Sequence, residues 1–127
     1  MSKRDLTGAV DFAYLERFAL DDSKVIDEVL ALFREQAALW APMLDAGVDG
    51  WRDAVHTIKG AARGVGAFAL GDACDHCEAA GAGALPSVHA ALDAALFDVA
   101  AYVHEQALKS LRGSGPPVLD LDQRVPD

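Results

Sequence analysis

The sequence predicts an all-α protein: an up-down-up-down antiparallel four-helix bundle with a short additional N-terminal helix and an irregular C-terminal tail. Three observations carry this. Alanine dominates the apolar residues while β-branched residues are sparse, which favours helix over strand. Four long segments repeat their apolar residues at three- and four-residue intervals. The segments between them are short, which makes consecutive helices antiparallel neighbours. At 127 residues the chain suits one domain with a single core.

Residues Met1–Gly8 carry no periodic signal and read as a loose start. Val10, Tyr14, Leu15 and Phe18 then follow helical spacing, so Ala9–Ala19 reads as a short first helix covering one end of the bundle. Asp21-Asp22-Ser23 supplies N-cap chemistry for a second helix, with Asp27 and Glu28 early in it. Its stripe is Ile26, Val29, Leu30, Phe33, Ala37, Trp40 and Leu44. Pro42 is expected to bend this helix and Gly47 to stop it.

Asp49 is expected to cap a third helix from about Gly50 to Val65, with Trp51, Val55, Ile58, Ala62 and Val65 inward. Gly66 stands where a left-handed C-terminal residue belongs. A fourth helix over Phe68–Ala80 places Leu70, Ala73, Cys74 and Cys77 on one stripe. Ala82-Gly83-Ala84 reads as a loop. Pro86 suits the first turn of a long last helix, with Val88, Leu92, Ala95, Val99, Tyr102 and Val103 inward. Gly113-Ser114-Gly115-Pro116-Pro117 cannot continue a helix. The bundle is therefore assigned to residues 1–112 and the tail to residues 113–127.

Charge narrows the function. The formal net charge is -9 at pH 7, against general nucleic-acid binding, which needs a basic face. From Gly64 to Leu108 there is no Lys or Arg, whereas Arg52, Lys59 and Arg63 fall within one short stretch. That stretch is a positive patch on an acidic chain, suited to a phosphoryl group or an acidic pocket. No stretch of 18 or more uninterrupted apolar residues exists, because aspartates break the alanine-rich runs, as in Ala90–Val103, which argues against a membrane span. No apolar segment with a cleavage site follows Met1, so the expected location is the cytoplasm.

On the third helix, Arg52, His56, Lys59, Gly60 and Arg63 share one face beside the apolar stripe. A histidine there is held by the core yet open to water. Neutral imidazole offers one nitrogen lone pair, and an acceptor on the other N–H fixes the tautomer. A phosphoryl group on that nitrogen would be strongly anionic, and Lys59 stands one turn away to meet it. Gly60 and Gly64 each cost about 1 kcal/mol relative to alanine in a helix interior. In a chain so rich in alanine, they make sense if another molecule must approach this face closely.

His56, Lys59, Gly60, Gly66-Ala67, Leu70, Cys74 and Glu78 together resemble the signature of the histidine-containing phosphotransfer (HPt) domain family. The resemblance implies a helical bundle in which His56 is the phosphoacceptor, Lys59 stabilises the phosphoryl oxygens and Glu78 orients the imidazole. Gly60 and Gly64 would give clearance for a partner. Some relatives carry a basic residue further along the fourth helix; here that region is Ala79-Ala80-Gly81-Ala82, and Arg52 or Arg63 would serve instead. The implied role is a free-standing phosphorelay intermediate between response-regulator receiver domains, fed by a hybrid histidine kinase. It would be a cytoplasmic monomer with no membrane or nucleic-acid partner. With no nucleotide loop and no carboxylate cluster beside His56, the chain is expected to lack kinase activity and to take Mg²⁺ from the receiver.

Other readings compete. A histidine-kinase dimerisation domain usually carries an acidic residue after its histidine, where this chain has Thr57. A helical adaptor without chemistry is a further alternative. Cys74-Asp75-His76-Cys77 invites a metal or redox reading but lacks a second ligand pair and a βαβ context, so core packing is preferred. His76, His89 and His104 read as surface residues. Trp40, Trp51 and the phenylalanines read as core or core-edge residues, and Asp120 and Asp122 as solvated charges.

Overall fold

A computed structural model describes residues 8–114, with side chains through Leu111. It contains five α-helices: α1 (Phe12–Phe18), α2 (Ser23–Trp40), α3 (Trp51–Val65), α4 (Phe68–Ala80) and α5 (Leu85–Ser114). Single 3₁₀ turns occupy Ala41–Met43 and Ala82–Ala84. Helices α2 to α5 form an antiparallel ring in which α3 packs on α2 and α4, and α5 on α4 and α2. The stripes expected from the sequence meet inside: Ile26, Leu30 and Phe33 from α2, Val55, Ile58 and Ala62 from α3, Leu70, Cys74 and Cys77 from α4, and Val88, Leu92 and Val99 from α5 are all buried.

Helix α1 starts at Phe12 rather than Ala9, because upstream amides are taken by distant partners. The Ala9 and Val10 N–H groups donate to the Asp98 carboxylate, and the Asp11 N–H donates to the Gly66 carbonyl at 2.8 Å. Asp11 then caps α1, its Oδ1 accepting from the Tyr14 N–H at 3.0 Å. The helix does cover one end of the bundle. Phe12 stacks on Tyr102 of α5 with ring centroids 4.2 Å apart, and the Tyr102 hydroxyl donates to Glu16 at 2.8 Å. Within the Asp21-Asp22-Ser23 cluster, Asp22 is the residue that caps α2, accepting from the Lys24 and Val25 N–H groups. Asp27 and Glu28 fall beyond the first turn.

Three local expectations are corrected. Helix α2 is not bent by Pro42; it ends at Trp40, and Pro42 lies in the 3₁₀ turn that follows. Proline has no N–H for the helical ladder, so the last bonds tighten into that turn. Gly47 comes after this end and gives its N–H to Asp45 Oδ1 at 2.7 Å. Asp49 does not cap α3. The N-cap is Gly50, in a left-handed conformation (φ 88°) with no side-chain cap, which leaves Asp49 one residue too far back. Phe18 and Phe97 are 71% and 75% exposed, not core-edge residues.

Gly66 (φ 88°) ends α3 as expected, with the Ala67 N–H reaching back to the Ala62 carbonyl at 2.8 Å. Helix α4 has its expected bounds. Helix α5 runs through Gly113 to Ser114, past the boundary drawn from sequence. The rest of the expected tail, including Asp120 and Asp122, and the expected loose start up to Thr7 lie outside the described residues. The segment Ala82–Leu111 is long and apolar enough to cross a membrane by length and composition, although its inward face lines the bundle core.

Candidate functional site

The heavily packed α3–α4 pair brings the site together. Val55, Ile58 and Ala62 lock α3 against the core, so the residues between them are held at fixed height along α4. His56 and Lys59 project on the α4 side, opposite Asp75 and Glu78, which share a face of α4 by their three-residue spacing.

Glu78 is the hub. Its Oε2 lies 2.8 Å from His56 Nδ1, and its Oε1 accepts from Lys59 Nζ. Lys59 Nζ also reaches Asp75 Oδ1 at 3.5 Å. The hydrogen bond from Lys59, and then that from His56, hold the Glu78 carboxyl below its usual range. The hydrogen bond to Glu78 correspondingly raises Lys59. An ionised carboxylate only accepts, so the hydrogen-bond pattern assigns the imidazole proton to Nδ1. Nε2 then keeps its lone pair. With the His56 side chain 71% exposed, the ring is aimed from below and reachable from above.

Lys59 is the opposite case. Its side chain is only 19% exposed, because its stem lies along the α3–α4 seam with the ammonium at the rim. A compact cation is thus fixed on the same carboxylate that orients the imidazole.

The other residues singled out from sequence fall around this cluster. Arg52 stacks on Trp51, its guanidinium 4.5 Å from the ring centroid. Arg63 lies across α4 over Gly71, where an added Cβ would meet the arginine stem at 2.9 Å. The two arginines therefore flank His56 and Lys59 one turn to either side along α3. Gly60 and Gly64 are exposed, and an added Cβ at either would meet no atom within 4 Å. Internal packing does not require glycine at these two positions.

Sequence reasoning passed over two contributors. Asp75 is the second carboxylate on Lys59, and its spacing from Glu78 on α4 was the available signal. Gly71 is the seat of Arg63, detectable only once the two helices are docked.

Cys74 and Cys77 are buried free thiols, and burial pushes Cys74 up to about 12. Among the described residues, no group of three or more His, Cys, Asp and Glu side chains is arranged to hold a metal ion. His76, His89 and His104 are exposed, and His89 pairs with Asp93 at 3.4 Å one turn along α5.

Among solved structures, the chain is similar to the crystal structure of the histidine phosphotransferase ShpA from Caulobacter crescentus. The two are 70% identical with a TM-score of 0.76, and the match covers 81% of this chain and 98% of that one. No family model matches the chain. No curated protein matches it either.

Proposed function

This chain belongs to the histidine phosphotransferase family, and we propose on that premise that it is a phosphorelay intermediate carrying a phosphoryl group on His56 Nε2. The observation that carries the reading is the Nδ1–Glu78 hydrogen bond of 2.8 Å on an exposed ring, with Lys59 on the same carboxylate.

In the forward step the Nε2 lone pair attacks the phosphorus of a receiver-domain aspartyl phosphate. The P–N bond forms, the P–O bond to the aspartate breaks, and that carboxylate leaves with the electron pair. The Nδ1 proton stays in place, so the ring becomes cationic as it takes the phosphoryl group. Ionised Glu78 faces that developing charge across the Nδ1–H, and Lys59 faces the phosphoryl oxygens. A protonated ring is also a good leaving group. The same arrangement therefore serves the return step, in which a second receiver's aspartate attacks phosphorus and neutral imidazole departs. No proton needs to move in either direction.

Gly60 and Gly64 give the receiver room to bring its aspartate to Nε2, and Arg52 and Arg63 border that docking face. Receiver domains, with a hybrid histidine kinase upstream, are the partners this chemistry calls for. They supply the Mg²⁺ and the ATP-derived phosphoryl group. The chain acts as a carrier without kinase activity of its own, as a cytoplasmic monomer.

The test is transfer from a phosphorylated receiver to the wild type and to His56→Gln. Label is expected on the wild type alone. An unlabelled wild type with every receiver that can be phosphorylated would sink the relay reading. A labelled His56→Gln protein would move the acceptor elsewhere.

A further inference from the structure

The α3–α4 seam repeats one kind of pairing and breaks it once. His56 faces Glu78, and Lys59 faces Glu78 and Asp75, so each of these groups on α3 stands against a carboxylate of α4. One turn further along α3, Arg63 faces Gly71 instead. Gly71 is buried inside α4, where glycine is disfavoured and this chain otherwise uses alanine freely. An added Cβ there would lie 2.9 Å from Arg63 Cγ, 3.2 Å from its Nε and 3.6 Å from its Cδ. These are the three nearest atoms, all of one side chain. What the missing methyl makes room for is the arginine stem.

The seat fixes the stem and leaves the head group unpaired. Arg63 is exposed, and among the described residues its guanidinium makes no ion pair. Neither Asp72, next to Gly71, nor Asp75, one turn on, pairs with it; Asp75 is held by Lys59. Arg63 is not aimed at His56 either. The two are seven residues apart on α3, about 10 Å along the axis, and the stem leaves α3 towards α4. It stands instead at the edge of the face that Gly60 and Gly64 leave open. A packed stem ending in a free planar fork is pre-organised for one bidentate carboxylate. The proposed receiver brings the Mg²⁺, which carboxylates hold, so its approach face is acidic where this one is basic. We propose that Arg63, positioned by Gly71, is a docking residue that takes a surface carboxylate of the receiver domain. The inference rests on the relay reading and adds the chemistry of one contact and a positioning residue on α4.

The test follows single-turnover transfer to the full chain against the concentration of a phosphorylated receiver domain that labels the wild type. Arg63→Met keeps the stem and removes the charge, whereas Gly71→Ala keeps the charge and unseats the stem. In each, the half-saturating receiver concentration should rise at least about five-fold, while the limiting rate changes by less than about two-fold. In the double variant Gly71→Ala should add nothing to Arg63→Met, because its effect passes through the guanidinium. Arg63 is exposed, so the methionine variant carries the test even if Gly71→Ala fails to fold. Phosphoramidate, which phosphorylates imidazole without a protein partner, should label Gly71→Ala and the wild type alike. Wild-type half-saturation in Arg63→Met would overturn the proposal. So would a Gly71→Ala effect of full size in the Arg63→Met background, which would make Gly71 a packing residue only. A lower limiting rate at unchanged half-saturation would overturn it too, by placing Arg63 at the phosphoryl group. A wild type labelled by phosphoramidate but by no receiver would remove the relay reading itself, and the docking contact with it.

Discussion

Gly60 offers the sharpest separation of folding from docking. Glycine in a helix interior is less favourable than alanine by about 1 kcal/mol, through backbone entropy lost on folding. Such a penalty is usually retained because a side chain would clash within the fold. At Gly60 the space beside the backbone is open, with no atom within 4 Å of an added Cβ. Gly60→Ala should therefore stabilise the protein by nearly the full ~1 kcal/mol, raising the melting temperature by about 4 °C or more. Gly60→Gln, also a good helix former, should be at least as stable as the wild type. On the proposed function the effect on transfer has the opposite sign. The glutamine side chain would stand where the receiver approaches, one turn from His56, and kcat/KM for transfer should fall at least about ten-fold, or about 1.4 kcal/mol. Thermal melts by circular dichroism and single-turnover transfer measure the two effects on the same samples. A less stable alanine variant would mean that the fold itself demands this glycine. Wild-type transfer by the glutamine variant would mean that nothing approaches there.

Gly66→Ala should behave in the opposite way. Its φ of 88° is left-handed and an added Cβ would lie 2.7 Å from the Asp11 carbonyl oxygen, so urea melts should show a loss of about 3 kcal/mol. Glu78 titrates below its ordinary 4.5 in the folded protein, so its stabilising contribution is present above 4.5 and is lost as pH falls through the lower folded value. The stability gap between wild type and Glu78→Gln, followed by urea melts from neutral pH downward, should close across that acid window; a gap that stays constant would refute the ion-pair role. Asp75→Asn leaves Lys59 fewer carboxylates to leave when a phosphoryl group arrives, so phospho-His56 at equilibrium with a receiver should rise about two- to five-fold. Cys74 and Cys77 should resist a thiol reagent at pH 8 in the native protein and react on unfolding, as burial raises both thiols; rapid native labelling would show that the α4 stripe opens.

What could be read in advance divides along physical lines. The bounds of α4 and the end of α3 were legible because local chemistry decides them: a left-handed glycine at position 66 and stripes at helical spacing on either side. The start of α1 was not, because Asp98, far along the chain, takes the Ala9 and Val10 amides that a local reading assigns to the helix. The cap of α3, though not its start, was misread for the converse reason. Asp49 has the right chemistry, but the left-handed turn at Gly50 displaces it from the amides it would cap. The same division runs through the site. His56 and Lys59 are one turn apart on one helix, and Glu78 was recovered through a family signature that spans two helices. Asp75 joins the cluster only through the docking of α4 on α3, and Gly71 only through the reach of Arg63 across the seam. Phe97 was misplaced because a phenylalanine at helical spacing says that a face is apolar, not which of two faces the bundle will use. On α5 both faces repeat with nearly the same period, and the buried one is selected by what the other helices present. The exposure of Phe97 is thus invisible to a single-helix reading and emerges only once the core has taken its share of the helix.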